Sequence, residues 1–207
     1  TIPNSVTSIG AYAFYDCNKL ESVTLGDNIT QIGEFAFSHT GLKSIQLPQK
    51  LTTISKSLLS YCEELGNVDI PESVSEIKDE AFRGCLNMTS VYIPSNVRKI
   101  GLNIFSGYED SYGLNFNYGN VNKVVVASSN PYYDSRNDCN AIIETATNTL
   151  IEGCQTTVIP DGVKKIGLNA FGLVAYKDFY LPASVDSIDT WGFYGTQIEN
   201  VTIPSTL

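Results

Sequence analysis

The sequence of 207 residues has little charge, a single histidine and no long apolar run. Charged residues make up 17% of the chain, below the usual quarter, whereas hydrophobic residues at 43% suffice for a packed core. No stretch approaches the roughly 18 apolar residues that a membrane-spanning helix needs. With His39 alone, a multi-histidine metal site is impossible and a histidine-based triad has one possible base. His39 lies in a repeat turn without a nucleophile motif, so we expect a solvated loop residue.

The charge that is present is mostly negative, with a formal net charge of -9. Nucleic acids and anionic lipids are bound by basic surfaces, so neither is expected as a partner. The sequence has no phosphate-binding Gly-rich loop and no clustered Cys/His spacing typical of zinc sites. Adjacent carboxylates such as Glu63-Glu64 are typical of a solvated turn. We therefore expect no catalytic residues, no cofactor, no metal and no enzymatic activity.

A repeat of 22 or 23 residues dominates the sequence. Its frame, read from Ile2 to Val23, is Ile-Pro-x-x-Val, then Ile-Gly, Ala-Phe, a small residue and Leu-x-x-Val. The frame restarts at Leu25, Leu47, Ile70, Ile93, Val126, Ile159, Leu181 and Ile203. The two steps that meet at Val126 are 33 residues each, about ten residues longer than the others. The sequence predicts one domain over residues 1–207, built from about eight repeats.

Each repeat contains the alternation typical of a half-buried strand. Leu20 to Leu25 alternates apolar and polar residues, and the proline that follows in most copies ends the strand. A shorter extended piece is indicated by the Val-x-x-Ile spacing, as from Val74 to Ile77, and the Ala-Phe pair is expected to fill the interior. One such unit cannot close a core alone. We therefore predict a repeat solenoid, mainly β with little helix, in which each repeat adds one strand to a parallel sheet.

The residues of this pattern resemble the BspA-like subclass of the leucine-rich repeat family, whose units read roughly I-P-x-S-V-x-x-I-G-x-x-A-F-x-x-C-x-x-L-x-x-V. Residues 2–23, 70–91 and 159–179 match it closely. The resemblance implies a leucine-rich-repeat solenoid and a secreted or cell-surface location. It also implies a non-enzymatic, bacterial recognition or adhesion module for a protein or glycan on a host surface or matrix. The alternative is a structural spacer or stalk with no ligand of its own.

The two long repeats depart from the consensus through insertions at 107–120 and 130–151. Aromatic rings among Asn, Asp and Gly residues are typical of binding loops. The alternative is that these rings fold back and cover the wider part of the stack. The candidate binding residues in the insertions are Tyr112, Phe116, Tyr118, Tyr132 and Tyr133.

Alternation along the predicted strands directs two columns of mostly small polar side chains away from the core. Tyr92 and Tyr180 add an aromatic ring each, and Asn67 and Asp69 lie in the same columns. We interpret these four as candidate binding residues on an extended face, as repeat proteins commonly use. The alternative is that such residues only keep an exposed sheet face soluble.

Three of the five cysteines share one place in the repeat. Cys17, Cys62 and Cys85 each follow the aromatic position, or Leu59, by three residues. We expect them to be small, buried side chains stacked on one another.

The other two cysteines, Cys139 and Cys154, bracket a predicted hairpin with strands Ala141–Glu144 and Thr149–Glu152. Pairing symmetric about the Ala146–Thr147 bond would place the two thiols opposite each other, so a disulfide is one interpretation. Two free buried thiols are the other, and a one-residue bulge would shift the pair out of register.

The chain starts at Thr1 within a repeat and without Met, shows no signal peptide, and ends within a repeat at Leu207. We expect either an excerpt of a longer chain or a stack that exposes a bare end.

Overall fold

The structure, a computed structural model, describes residues 1–110 and 115–205. Short β-strands account for nearly all of its regular structure, and the helical content of these residues is one 3-10 turn, Arg136–Asp138. The strands in chain order are β1 (Ser8–Ile9), β2 (Gln31–Ile32), β3 (Thr53–Ile54), β4 (Glu76–Ile77), β5 (Ser90–Ile93), β6 (Lys99–Ile100), β7 (Tyr108–Glu109), β8 (Phe116–Asn117), β9 (Lys123–Val126), β10 (Tyr133–Asp134), β11 (Ala141–Glu144), β12 (Thr149–Gly153), β13 (Lys165–Ile166), β14 (Asp178–Tyr180), β15 (Ser187–Ile188) and β16 (Asn200–Thr202).

The Val-x-x-Ile spacing correctly predicts the short strands β1, β2, β3, β4, β6, β13 and β15. Each pairs in parallel with the same strand of a neighbouring repeat, in register, as Ile54 does with Ile77. Most of the isoleucines are buried, with Ile54 and Ile166 at 0% exposure. An isoleucine therefore fills the core at each step while the backbone links one repeat to the next.

The longer strands do not form the predicted continuous sheet. They pair only as β5–β9 and β14–β16, with a single bridge between Ser22 and Ser44. Between the third and fourth repeats the reason is visible, because Asn67 Oδ1 accepts hydrogen bonds from the N–H groups of Thr89 (2.8 Å) and Ser90 (2.9 Å). A side chain thus replaces the main-chain acceptor, and the strand pairing stops there.

The Ala-Phe pairs lie in turns that hydrogen-bond directly to the next repeat. Phe35 N donates to Lys56 O at 3.1 Å, and His39 N donates to Ser60 O at 2.9 Å. Residues on either side of each pair adopt left-handed backbone conformations, which cost non-glycine residues about 1–2 kcal/mol each. Those before residue 90 are Tyr12, Asp16, Phe35, His39, Ser57, Tyr61 and Glu80. The bonds between repeats offset this cost.

The prediction that the Ala-Phe pairs fill the interior is confirmed. Phe37, Phe82 and Phe171 are fully buried, and the rings of Phe14 and Phe37 stack with centroids 5.1 Å apart. His39, by contrast, is not a solvated loop residue. Its ring is half-buried and stacks on Tyr61 at 4.5 Å, because successive turns place these side chains above one another.

The predicted hairpin is confirmed as β11 and β12, with Asn148 in the left-handed conformation (φ 55°). It does not lie on the surface. Ala141, Ile142 and Ile143 are all fully buried. On its other side, β12 pairs in parallel with β13 of the next repeat. Ile142 packs with the core formed by the earlier repeats, whereas Ile143 packs with the core of the later ones. The hairpin is therefore a partition between two hydrophobic cores.

The disulfide interpretation is wrong, because Cys139 and Cys154 are free buried thiols. A one-residue bulge between Ile142 and Ile143 shifts the strand register, so that Ala141 pairs with Gly153. The two thiols consequently pack in different cores, Cys139 with the later repeats and Cys154 with the earlier ones.

The stacked-cysteine prediction is confirmed for Cys62 and Cys85, which are buried, and is wrong for Cys17, which is exposed. Cys17 lies in the first repeat of the sequence.

The first insertion contacts the turns of distant repeats through hydrogen bonds. β7 and β8 pair antiparallel; the Tyr108 hydroxyl donates to Glu63 Oε1, and the Tyr194 hydroxyl donates to Glu109 Oε2 at 2.7 Å. We call β7, β8 and their side chains the strap. Its Glu109 lies 85 residues before Tyr194 in the sequence, so the strap links repeats that are distant along the chain.

Candidate functional site

The outer face of β5 and β9 borders two depressions of the sheet surface. Tyr92 on β5 is 49% exposed, and Val125 on β9 lies beside it because the two residues pair directly in the parallel register. The inward-facing neighbours Val91 and Val124 are buried in the core. The alternation predicted from the sequence thus presents Tyr92 and Val125 to solvent.

One wall of this region comes from residues 134–140, which run along the free side of β9. Ser135 Oγ accepts a hydrogen bond from Val126 N at 3.0 Å, and Asn140 Oδ1 accepts one from Val124 N at 3.4 Å. These two side chains satisfy the N–H groups of a strand edge that would otherwise be open. The second insertion therefore separates β9 from the next repeat instead of allowing the sheet to continue.

Two depressions result, and they meet at Val125. The first, of about 490 Å³, is lined by Tyr92, Val125, Asp134 and Arg136, with Ala127 and Asn130 among its further residues. The second, of about 450 Å³, is lined by Lys123, Val125, Asp138, Asn140 and Thr156, among others. We call the two depressions together the β9 groove. A further depression of about 320 Å³ on the same face, around Thr24 and Gln46, offers no aromatic ring.

The charges of the β9 groove are mixed. Arg136 Nη2 forms an ion pair with Asp134 Oδ2 at 2.6 Å, and Arg136 Nε donates to Asp134 Oδ1 at 2.8 Å. The two parallel bonds hold the guanidinium group in place and raise the pKa of Arg136. Lys123 and Asp138 add one charge of each sign. The groove therefore combines an aromatic ring, an apolar floor and fixed polar groups, as ligand sites commonly do.

Of the predicted surface residues, Tyr92 is the one that lines the β9 groove and remains well exposed. Tyr180 is also exposed, at 66%, but lies on β14 in a separate two-stranded sheet. Asn67 and Asp69 lie on the exposed face, where Asn67 is engaged in the backbone bonds described above. The structure does not bring these four residues into one site.

The insertion residues are divided in the same way. Tyr132 is 48% and Phe116 40% exposed, and Tyr118 is half-buried beside Phe116 with ring centroids 6.3 Å apart. For Tyr133 the structure favours the alternative interpretation, in which the ring folds back into the stack. This ring is 6% exposed, and its hydroxyl accepts a hydrogen bond from Ile100 N at 3.2 Å, because β10 is drawn into the stack by β11. Tyr112 lies outside the described residues.

Most residues of the β9 groove were not candidates from the sequence, among them Lys123, Val125, Asp138 and Asn140. Lys123 and Val125 fall in the two outward columns, so their exposure follows from alternation. Nothing local marks Asp138 and Asn140, because they reach the groove only through the path that the second insertion takes. The ten extra residues of that repeat are the sequence feature that indicates it.

Groups suited to metal binding or nucleophilic attack are few among the described residues. No group of three or more His, Cys, Asp or Glu side chains is placed to hold a metal ion in residues 1–110 and 115–205. Burial raises the pKa of the Cys62 and Cys154 thiols and that of Cys139 to about 11. Thiols with raised pKa values are poor nucleophiles at neutral pH. Within the same residues, no helix has the length and apolar character that crossing a bilayer requires.

The repeating Ile strand, buried Ala-Phe turn and outer strand define a leucine-rich repeat fold, mostly strands with almost no helix. Residues 1–110 and 147–207 match the BspA type leucine-rich repeat region in six copies, and the chain belongs to this family. The stretch without a match, 111–146, contains most of both insertions. No curated protein matches the sequence.

Solved bacterial structures share the fold. A leucine-rich cell surface protein from Faecalibacterium prausnitzii is 27% identical, with a TM-score of 0.73 over 99% of this chain and 60% of its own. The pneumococcal vaccine antigen PcpA is 21% identical, with a TM-score of 0.76 over 100% of this chain and 50% of its own. A leucine-rich repeat protein from Eubacterium ventriosum is also 21% identical, with a TM-score of 0.58 over 100% and 47%. The chain thus spans about half to three fifths of the length of these relatives.

Proposed function

We propose that this chain is part of a cell-surface or secreted bacterial protein and that it recognises a protein or glycan outside the cell. The β9 groove carries this proposal, because it joins an exposed aromatic ring to fixed charged groups on a rigid sheet. Family membership and the likeness to a bacterial cell surface protein support the location. Leucine-rich repeat proteins generally bind protein ligands and are generally non-enzymatic.

We further propose that the repeats form a single solenoid of about eight units over residues 1–207. The support is the regular separation of the hydrogen bonds between repeats. Thr30 N donates to Thr7 O, and Arg98 N donates to Ser75 O, each over 23 residues. In such a stack the outer strands face one side, so the β9 groove lies on an extended surface that a large partner can reach.

The recognition proposal is tested by binding to an array of glycans and extracellular-matrix proteins, followed by affinity measurements on every hit. Tyr92→Ser removes the ring from the β9 groove, and the double variant with Lys123→Ala also removes its exposed cation. We expect the double variant to weaken binding about tenfold or more, since buried aromatic anchors dominate recognition energies. The matched control is Tyr180→Ser, an exposed tyrosine of the same face outside the groove, which is expected to change affinity less than twofold.

Loss of binding in Tyr180→Ser but not in the groove variants would move the site to the β14–β16 sheet and contradict the assignment to the β9 groove. Absence of binding across the whole array would contradict recognition itself. That result would favour the alternative function, a spacer that holds another domain away from the cell.

A further inference from the structure

The edge of β9 that borders the β9 groove is already satisfied by side chains. Its outward N–H groups, those of Val124 and Val126, donate to the side chains of Asn140 and Ser135. An extended peptide binds to a sheet through main-chain hydrogen bonds along an open edge of this kind. Strand addition by a peptide partner is therefore blocked at the groove, and a ligand there is read by side chains.

The exposed apolar part of the groove is small. It consists of the Tyr92 ring and the half-buried Val125 side chain, with charged groups on both sides. The centre of a protein–protein interface is depleted in charged residues and belongs to a patch of about 800 Å² on each partner. One ring and one valine between charged groups do not provide such a centre. The groove thus fits a narrow ligand better than the flat surface of a folded protein.

The charges of the groove cancel. Asp134 and Asp138 carry two negative charges, and Lys123 and Arg136 carry two positive ones. The whole chain has a formal net charge of -9, so it repels polyanions at a distance. A ligand with sulfate or carboxylate groups along its length gains no net attraction at the groove and meets this repulsion. The balance of charge therefore favours an uncharged ligand.

Hydrogen-bond donors and acceptors alternate around the groove. The Lys123 ammonium group only donates, the Asp138 carboxylate only accepts, and the Asn140 amide offers both kinds of group. Neither Lys123 nor Asp138 forms an ion pair within residues 1–110 and 115–205. Each hydroxyl group is both a donor and an acceptor, so it meets either neighbour. A ligand rich in hydroxyl groups matches this set.

The groove is also held in a fixed shape. Besides its two bonds to Asp134, the Arg136 side chain donates from Nη1 to Asn148 Oδ1 at 2.9 Å, which ties the wall to the turn of the hairpin. Side chains that are already ordered cost less entropy when a ligand binds. The exposed Tyr92 ring adds an aromatic face, whose negative quadrupole attracts the C–H groups on the apolar face of a sugar ring.

We infer that the β9 groove binds an uncharged, linear glycan chain. The two depressions, of about 490 and 450 Å³, share Val125 and Asp138, so a ligand that fills both is a chain of linked units and not one ring. One sugar unit packs on Tyr92, and the hydroxyl groups of the next units bond to Asp138 and Lys123. This inference rests on the proposed recognition function and narrows its ligand from a protein or glycan to a neutral glycan.

Calorimetric titration of the whole chain tests the inference with linear, neutral oligomers of glucose, mannose and N-acetylglucosamine. A heparin-derived oligosaccharide of equal length is the charged probe. We expect the affinity for at least one neutral series to rise about tenfold or more between the monosaccharide and the tetrasaccharide, as the ligand extends into the second depression. Between about 50 and 500 mM NaCl the affinity should change less than about twofold, because an uncharged ligand is not screened.

Two variants separate ring packing from charge. Tyr92→Ser should weaken binding of the neutral tetrasaccharide about tenfold, since it removes the stacking surface. Lys123→Gln keeps a donor and removes the charge, so it should change the affinity for a neutral glycan less than about threefold. The matched control is Tyr180→Ser, which removes an exposed tyrosine outside the groove and should leave the affinity unchanged.

The result that overturns the inference is tight binding of the heparin-derived probe that weakens with salt and is lost in Lys123→Gln. A matrix protein that binds through Tyr92 while no oligosaccharide binds would overturn it as well. Both of these results leave the recognition function standing and change only its ligand. Absence of binding by every glycan and every protein would contradict the inference and the recognition function together.

Discussion

The regular repeats before residue 107 and the irregular region from 107 to 153 meet the same physical demands in different ways. In the regular part, each turn donates its N–H groups to the carbonyl groups of the next turn, and phenylalanine rings stack in the interior. In the irregular part, side chains perform these tasks, with Asn140 and Ser135 accepting hydrogen bonds from β9. Periodic structure leaves the surface uniform, whereas its interruption creates the β9 groove.

Removal of an interior ring from the regular part should have the largest effect on stability. Phe82 is fully buried between stacked turns, so Phe82→Ala is expected to lower the free energy of unfolding by about 3–5 kcal/mol through lost burial and a cavity. Tyr132→Ala in the second insertion, at an exposed ring, should change it by less than about 0.5 kcal/mol. Denaturant unfolding measures both, and equal effects would mean that the insertion carries as much stability as the stack.

A methyl group added to the irregular part should have a smaller effect. In Gly153→Ala the new Cβ meets the Phe171 ring, and we expect a loss of about 1–3 kcal/mol from overpacking. Gly10→Ala is the matched control, because no atom lies within 4 Å of the position its Cβ would take. Thermal or denaturant unfolding that finds Gly153→Ala harmless would show that the contact between Gly153 and Phe171 is loosely packed.

Of these three features, the strap should contribute least to the free energy of unfolding. Tyr108→Phe deletes the hydroxyl that bonds to Glu63, with an expected loss of about 1 kcal/mol at neutral pH. Burial and the neighbouring carboxylate raise the pKa of Tyr108 to about 12, so the contribution is present below about pH 10 and disappears as pH rises through 12. Unfolding at pH 8 should separate wild type from variant, and unfolding above pH 12 should not. A gap that persists above pH 12 would contradict the hydrogen bond as its source.

The groove and the partition also show why the sequence predicts exposure in some places and leaves it open in others. Tyr92 is exposed as expected, because strand alternation is a local property and needs no knowledge of distant residues. For Tyr133 the sequence left exposure and burial open, and the ring is buried because β10 pairs with β11, a contact that the local pattern does not reveal. The same hairpin register, shifted by one residue at Ile142, separates Cys139 from Cys154.

The amino-acid sequence by itself determined the repeat, the short isoleucine strands and the interior phenylalanines. These features rest on periodic burial, and a period of 22 or 23 residues is visible without coordinates. Only the tertiary structure decided that the second insertion becomes a partition inside the stack and that Ser135 and Asn140 satisfy the free edge of β9. Both outcomes depend on which backbone groups lack a partner after neighbouring repeats have packed, and that shortage exists only once the chain is folded.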